Sequence, residues 1–258
     1  MVQEYVNLRN YQLRISDFGS GDSVILLLSG ASGPELYEPF AQRMARDARV
    51  ILPEHPGFGE ADKPAWVRRV SDLAQFYALF LRKNVSQPVH LVGHSLGGWI
   101  AADMAIRCSH SIASLTLISA GGVHVRGAPI ADNFLWPRDQ LAEKMCFDAH
   151  DFPAPDDPPS EESVRLMFKR QATVAELVWK PRWHDPSLER WISSIACPTA
   201  IVWGQDDQLF PIENAKFFAD QIPGSKLSVL PECGHLPFLE KPEEVGRLVQ
   251  RNISGVEA

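Results

Sequence analysis

Two kinds of apolar pattern alternate along the chain. Glu4–Leu8 and Tyr11–Asp17 alternate polar with apolar residues, the period-two signature of half-buried strands. After the turn residues Gly19-Ser20-Gly21-Asp22, Val24–Leu28 is apolar throughout, as in a strand covered on both faces of a parallel sheet. Short runs at Arg49–Pro53, Val89–Gly93, Leu115–Ser119, Thr199–Trp203 and Lys226–Leu230 predict further strands. Between them the apolar period lengthens. Leu36, Phe40 and Met44 recur four apart within Glu35–Arg46, and Leu73, Phe76, Tyr77, Phe80 and Leu81 share one side of Val70–Asn84. Ser95–Cys108, Glu213–Gln221 and Glu243–Asn252 read as helices too. This strand–helix rhythm predicts an α/β fold with right-handed crossovers and a doubly wound, mostly parallel sheet.

The rhythm breaks between Val123 and Trp191. That stretch holds Pro129, Pro137, Pro153, Pro155, Pro158, Pro159, Pro181 and Pro186, and helical pieces such as Glu161–Gln171. Residues 1–122 and 192–258 are therefore expected to form one core domain, interrupted by a mainly helical cap at 123–191. The chain leaves the sheet at Ser119-Ala120-Gly121-Gly122 and re-enters at Ile195–Pro198, so the insertion is expected to cover one sheet edge. Trp136, Phe147, Phe152, Phe168, Trp179 and Trp183 concentrate in it. They suit a small core of its own, a roof over an apolar pocket, or both. Gly255–Ala258 is expected to fray.

Composition narrows the class. The 258 residues are 45% hydrophobic and 22% charged, which excludes wholesale disorder and permits a large core without disulfides. With 25 Lys+Arg against 32 Asp+Glu the net charge is −7, which argues against nucleic acid or an anionic membrane as partner. Cys108, Cys146, Cys197 and Cys233 form no CxxC pair, and no His spacing suits zinc. The N-terminus lacks a secretory pattern, and no run approaches the ~18 apolar residues of a membrane span. A cytoplasmic protein with no metal or other cofactor is expected.

The chemistry lies at three strand ends. Gly93-His94-Ser95-Leu96-Gly97 joins a buried strand to a helix and fits Gly-x-Ser-x-Gly. A serine lifted above the sheet on a strained turn needs small neighbours, and the helix behind it aims free N–H groups at a reacting oxygen. A serine nucleophile needs a base, and the base an orienting carboxylate. Asp206 and Asp207 both follow the strand ending at Trp203, and His235 follows the last strand in the loop Pro231-Glu232-Cys233-Gly234. Carboxyl ends of strands are where open α/β sheets place their sites. His94 is expected to pack beneath the turn, and His90 to be a satisfied polar group.

These motifs resemble the α/β-hydrolase superfamily over nearly the whole chain, most of all its small capped esterases and carbon–carbon-bond hydrolases. The family's acid loop, Trp-Gly-x-x-Asp-x-x-x-Pro, matches Trp203, Gly204, Asp207 and Pro211, which favours Asp207 over Asp206. Its Gly-His-x-Pro-x-x-Glu-x-Pro stretch matches Gly234, His235, Pro237, Glu240 and Pro242, and its Pro-Gly-x-Gly turn matches Pro56, Gly57 and Gly59. The loop after the third strand, usually His-Gly, departs as Ser29-Gly30-Ala31-Ser32. Backbone donors survive such changes, so the resemblance implies an oxyanion hole from the N–H groups of Ala31 and Leu96. Ser32, His55, Trp179 and Trp183 are candidates for substrate contact, although His55 equally suits a structural role.

The resemblance thus implies a Ser95–His235–Asp207 serine hydrolase acting on a small-molecule carbonyl substrate, a small apolar ester or lactone. The alternative within enzymes is a carbon–carbon bond in a ring-fission diketone. The alternative of another class is a ligand-sensing receptor with vestigial turnover. Serine in place of aspartate at the turn argues against dehalogenase or epoxide-hydrolase chemistry.

Overall fold

In the computed structural model, which describes residues 1–153 and 158–255, the strands are Val2–Leu8 (β1), Tyr11–Phe18 (β2), Val24–Leu28 (β3), Arg49–Pro53 (β4), Val89–His94 (β5), Ile112–Ile118 (β6), Thr199–Gly204 (β7) and Lys226–Leu230 (β8). Pro155 and the expected frayed residues 256–258 lie outside the described residues. The strands form one eight-stranded sheet in the order β1-β2-β4-β3-β5-β6-β7-β8. β2 pairs antiparallel with both β1 and β4, and every other pairing is parallel. The β1–β2 hairpin turns on Arg9 and Asn10, both at positive φ (49° and 66°), as a two-residue turn matched to strand twist requires.

The helices are Glu38–Met44 (α1), Val70–Asn84 (α2), Leu96–Arg107 (α3), Leu141–Met145 (α4), Glu161–Val178 (α5), Pro186–Trp191 (α6), Ile212–Gln221 (α7), Pro237–Glu240 (α8) and Pro242–Ser254 (α9). Alternation within the buried strands divides the core in two. Leu26, Leu28, Leu91, Leu115 and Ile201 pack with α2, α3 and α7. Ile25, Leu27, Val92, Ile118 and Val202 face the other way, towards α1 and α9. The doubly wound sheet is covered on both faces.

Two elements depart most from the sequence pattern, while others shift by one to three residues at their ends. The expected helix from Glu35 is split into a 3-10 turn, Pro34–Tyr37, and α1. Pro39 has no N–H to donate to the carbonyl of Glu35, so one continuous helix cannot form there. α5 runs seven residues beyond Gln171 to Val178, because Thr173, Val174, Leu177 and Val178 all find buried positions. Packing outweighs the modest helix propensity of β-branched residues.

Several described residues between β6 and β7 join the main core. Val174, Leu177, Val178, Trp183 and Leu188 belong to the same buried cluster as β3, β5 and α3. Among the described residues no helix is long and apolar enough to cross a membrane.

Candidate active site

Ser95 stands between β5 and α3 at φ 53°, ψ −116°, a conformation few non-glycine residues adopt. Strain of this kind costs about 1–3 kcal/mol and persists only where the surroundings enforce it. Here they do. The Ser95 N–H donates to the Ile118 carbonyl (3.0 Å), and its carbonyl accepts from Trp99 (3.1 Å) and Gly121 (3.0 Å). A Cβ on Gly93 would collide with the Gly97 carbonyl, and one on Gly97 with the carbonyls of Leu28 and Ser29. The two glycines of the motif are where backbones pass at contact.

The Ser95 hydroxyl lies 3.0 Å from His235 Nε2, and His235 Nδ1 lies 2.8 Å from Asp207 Oδ2. The Asp207 side chain is 1% exposed, and so is that of His235. The other oxygen of Asp207 accepts N–H bonds from Leu209 (2.8 Å) and Phe210 (3.0 Å), which satisfy an ionised carboxylate where water is scarce. A carboxylate only accepts, so His235 Nδ1 carries the proton and Nε2 presents its lone pair to Ser95. Asp206 is exposed, and its carboxylate lies 3.4 Å from the Cys233 N–H, away from the imidazole.

Two buried His–Tyr pairs hold the surrounding loops. His94 Nε2 donates to the His235 carbonyl (2.7 Å), so its Nδ1 accepts the Tyr37 hydroxyl (2.6 Å), which itself accepts the Gly30 N–H (2.7 Å). His55 repeats the arrangement: Nε2 donates to the Ser29 carbonyl (2.8 Å), and Nδ1 accepts the Tyr77 hydroxyl (2.6 Å). Each donor–acceptor assignment follows from the carbonyl, which can only accept. Burial lowers both imidazole pKa values, that of His55 to about 4, so both rings are neutral near neutrality. From the other side, the His235 N–H donates to the Met145 carbonyl (2.7 Å). The Glu240 carboxylate accepts from Gly234 (3.0 Å), Leu236 (3.3 Å) and Phe147 (2.7 Å).

Residues 25–248 match the model of the alpha/beta hydrolase family. The chain belongs to that family. It is 28% identical to a 2-hydroxy-6-oxo-6-(2'-aminophenyl)hexa-2,4-dienoic acid hydrolase of Metapseudomonas resinovorans, over 94% of this chain and 88% of the relative. It is 22% identical to Lipase 1 of Psychrobacter immobilis, over 95% of this chain and 84% of that one. Among solved structures, a bacterial membrane phospholipase A superposes with a TM-score of 0.85 at 23% identity, covering 98% of this chain and 86% of the other.

The remaining candidate residues of this hydrolase separate. Leu96 opens α3, where helix geometry leaves its N–H without an intrahelical acceptor. The loop bearing Ala31 passes over the nucleophile candidate: a Cβ on Gly30 would lie 3.1 Å from Ser95 Cβ. Ser32 is exposed. His55 is fully buried, with both ring nitrogens engaged within the protein. Trp179 lies at the surface. It is 57% exposed, and the Arg182 guanidinium lies 4.0 Å from its ring centroid. Trp183 is fully buried against Phe210, whose ring lies 5.2 Å from that of His235. Sequence patterns passed over Tyr37 altogether and counted Tyr77 only as an apolar position. A buried tyrosine hydroxyl needs a partner, and that requirement was the available signal.

Proposed function

We propose that this hydrolase is a serine esterase cleaving small apolar esters or lactones. The observation that carries the reading is the unbroken line from the Ser95 hydroxyl through His235 to Asp207, beneath a backbone cradle. In this reading Ser95 Oγ attacks the carbonyl carbon as His235 Nε2 takes its proton. The N–H groups of Leu96 and Ala31 stabilise the oxyanion, each such donor being worth ~10²–10³ in rate. The C–O bond then breaks, and His235 returns the proton to the departing alkoxide. Water attacks the acyl-enzyme while giving its proton to Nε2, the acid leaves, and that proton restores the serine hydroxyl. Asp207 holds the imidazole tautomer and stabilises its cationic form. Residues 123–191 act as a cap, with Trp183 and Phe210 bordering the acyl pocket. Four free thiols suit a cytoplasmic setting.

A second reading, carbon–carbon hydrolysis of a ring-fission diketone, is favoured by the name of the Metapseudomonas resinovorans relative. Its substrate is an acid, and a carboxylate entering a buried site needs a cation. Two arginines of the insertion are already committed: Arg170 to Glu35 and Arg182 to Asp132. A panel of p-nitrophenyl esters of rising chain length, run beside a ring-fission diketone, tests the choice. Sustained turnover of short or medium esters, at least tenfold above the diketone in kcat/KM, is expected. The reverse ranking refutes the ester reading, and a stoichiometric burst with negligible turnover would favour a receptor.

A further inference from the structure

Ala31, whose N–H is assigned above to the oxyanion, is held on both sides. On the near side the Gly30 N–H donates to Tyr37 within the core. On the far side the Ser32 carbonyl accepts from Arg170 Nη1 (3.0 Å), and Arg170 belongs to α5 in the insertion. The same guanidinium donates through Nε to the Phe58 carbonyl (2.6 Å), and through Nη2 to both carboxylate oxygens of Glu35 (2.7 and 2.9 Å). The planar fork thus joins the loop after β3, the start of the next helical segment and the Pro56–Gly59 turn, a geometry an ammonium cannot reproduce. Gly33, at φ 96°, makes room for it: a Cβ there would lie 2.5 Å from Arg170 Cζ. One turn further along α5, the Thr173 hydroxyl donates to the Gly57 carbonyl (3.2 Å).

We propose that Arg170 is a positioning residue for the oxyanion loop, so that the seating of α5 sets the direction of the Ala31 N–H. Arg170 does not touch substrate; it fixes the peptide beyond Ala31 from the insertion side. Acyl transfer then depends on the insertion being docked, beyond any selection of substrate by its walls. The proposal rests on the serine-esterase reading.

The test compares wild type, Arg170→Ala, Arg170→Lys and Ser95→Ala by three readouts. These are kcat and KM on p-nitrophenyl butyrate, the rate of labelling by a small alkyl phosphonate, and the thermal midpoint. Misplacing one oxyanion donor is expected to lower kcat and the labelling rate of Arg170→Ala together by roughly ten- to a hundredfold. KM should move less than about threefold, and millimolar methylguanidinium should restore part of the rate. Arg170→Lys should fall between the two, since one ammonium cannot serve three acceptor groups. If Arg170→Ala keeps wild-type kcat and labelling, the proposal is wrong while the esterase reading stands. A loss that methylguanidinium does not relieve, with the thermal midpoint falling in step, reduces Arg170 to a structural residue and also overturns it. Labelling or turnover undiminished in Ser95→Ala would instead strike the esterase reading itself.

Discussion

Around Ser95 the chain is held by its backbone. Carbonyls of Leu28, Ser29, Gly97 and Ile118 stand at contact distance from glycine or serine main-chain atoms, and the strands beneath are buried on both faces. Across the same sheet edge, α5 is held largely by long polar side chains. Lys63 meets Glu176 (3.1 Å), Arg165 meets Glu60 (2.6 Å), Lys169 meets Asp62 (2.9 Å), and Arg170 binds as described. Of these only Arg165–Glu60 is exposed on both sides, a pair worth about 0–1 kcal/mol and screened by salt. Contacts between main-chain atoms thus constrain the nucleophile region closely. Beneath those pairs, Val174, Leu177 and Val178 of α5 are buried.

The two adjacent aspartates give the largest expected contrast within the rigid region. Asp207→Asn removes the acceptor that sets the His235 tautomer and should lower kcat by ~10⁴. Asp206→Asn, on an exposed side chain, should stay within about threefold. Steady-state kinetics on the best ester decide it, and equal losses would reassign the acid.

The insertion carries its own contrast between two tryptophans. Trp183 is fully buried and donates from Nε1 to Asn133 Oδ1 (2.9 Å), so Trp183→Ala should cost about 3–5 kcal/mol of stability. Trp179→Ala forfeits an exposed contact with Arg182 and should cost about 1 kcal/mol or less. Urea denaturation of both variants checks the ratio. A mild Trp183→Ala would mean that the buried tryptophan is as loosely held as the exposed one.

Acid should act on the rigid region through its neutral histidines. Folding lowers the His55 pKa from 6.5 to about 4, so below pH 6.5 the unfolded chain takes up a proton that the folded chain refuses. Stability is therefore complete above about 6.5 and falls as the pH drops towards 4, by up to ~1.4 kcal/mol per unit. His94, lowered in the same direction, adds to the fall. Urea midpoints between pH 7 and 4.5 should decline in wild type and decline less steeply in His55→Gln. A flat profile would show that these rings charge freely in the fold.

Sequence pattern and structure agree best where interactions are local. β3, β4, α2 and β8 have the ends their apolar runs predict, because turn residues or charges cut those runs sharply. Ser95, Asp207 and His235 were legible because each strand end carries a short motif whose spacing is dictated by a turn. The segment expected as one helix over Glu35–Arg46 is instead broken at Pro39 and ends at Met44. Arg170 was invisible for another reason: its partners Ser32, Glu35 and Phe58 lie more than a hundred residues away, and an arginine on a helix carries no local mark of such contacts. The insertion's aromatics were equally opaque, since one tryptophan joined the main core while another stayed in solvent four residues earlier.

The central claim is that Ser95 is the nucleophile of an acyl-enzyme mechanism. The most direct measurement is intact-protein and peptide mass spectrometry after reaction with a small alkyl phosphonate. One adduct per chain is expected, on the peptide containing Ser95, with loss of esterase activity in proportion to labelling and no adduct in a folded Ser95→Ala variant. An adduct on another residue, or Ser95→Ala retaining more than a tenth of wild-type turnover, would contradict it.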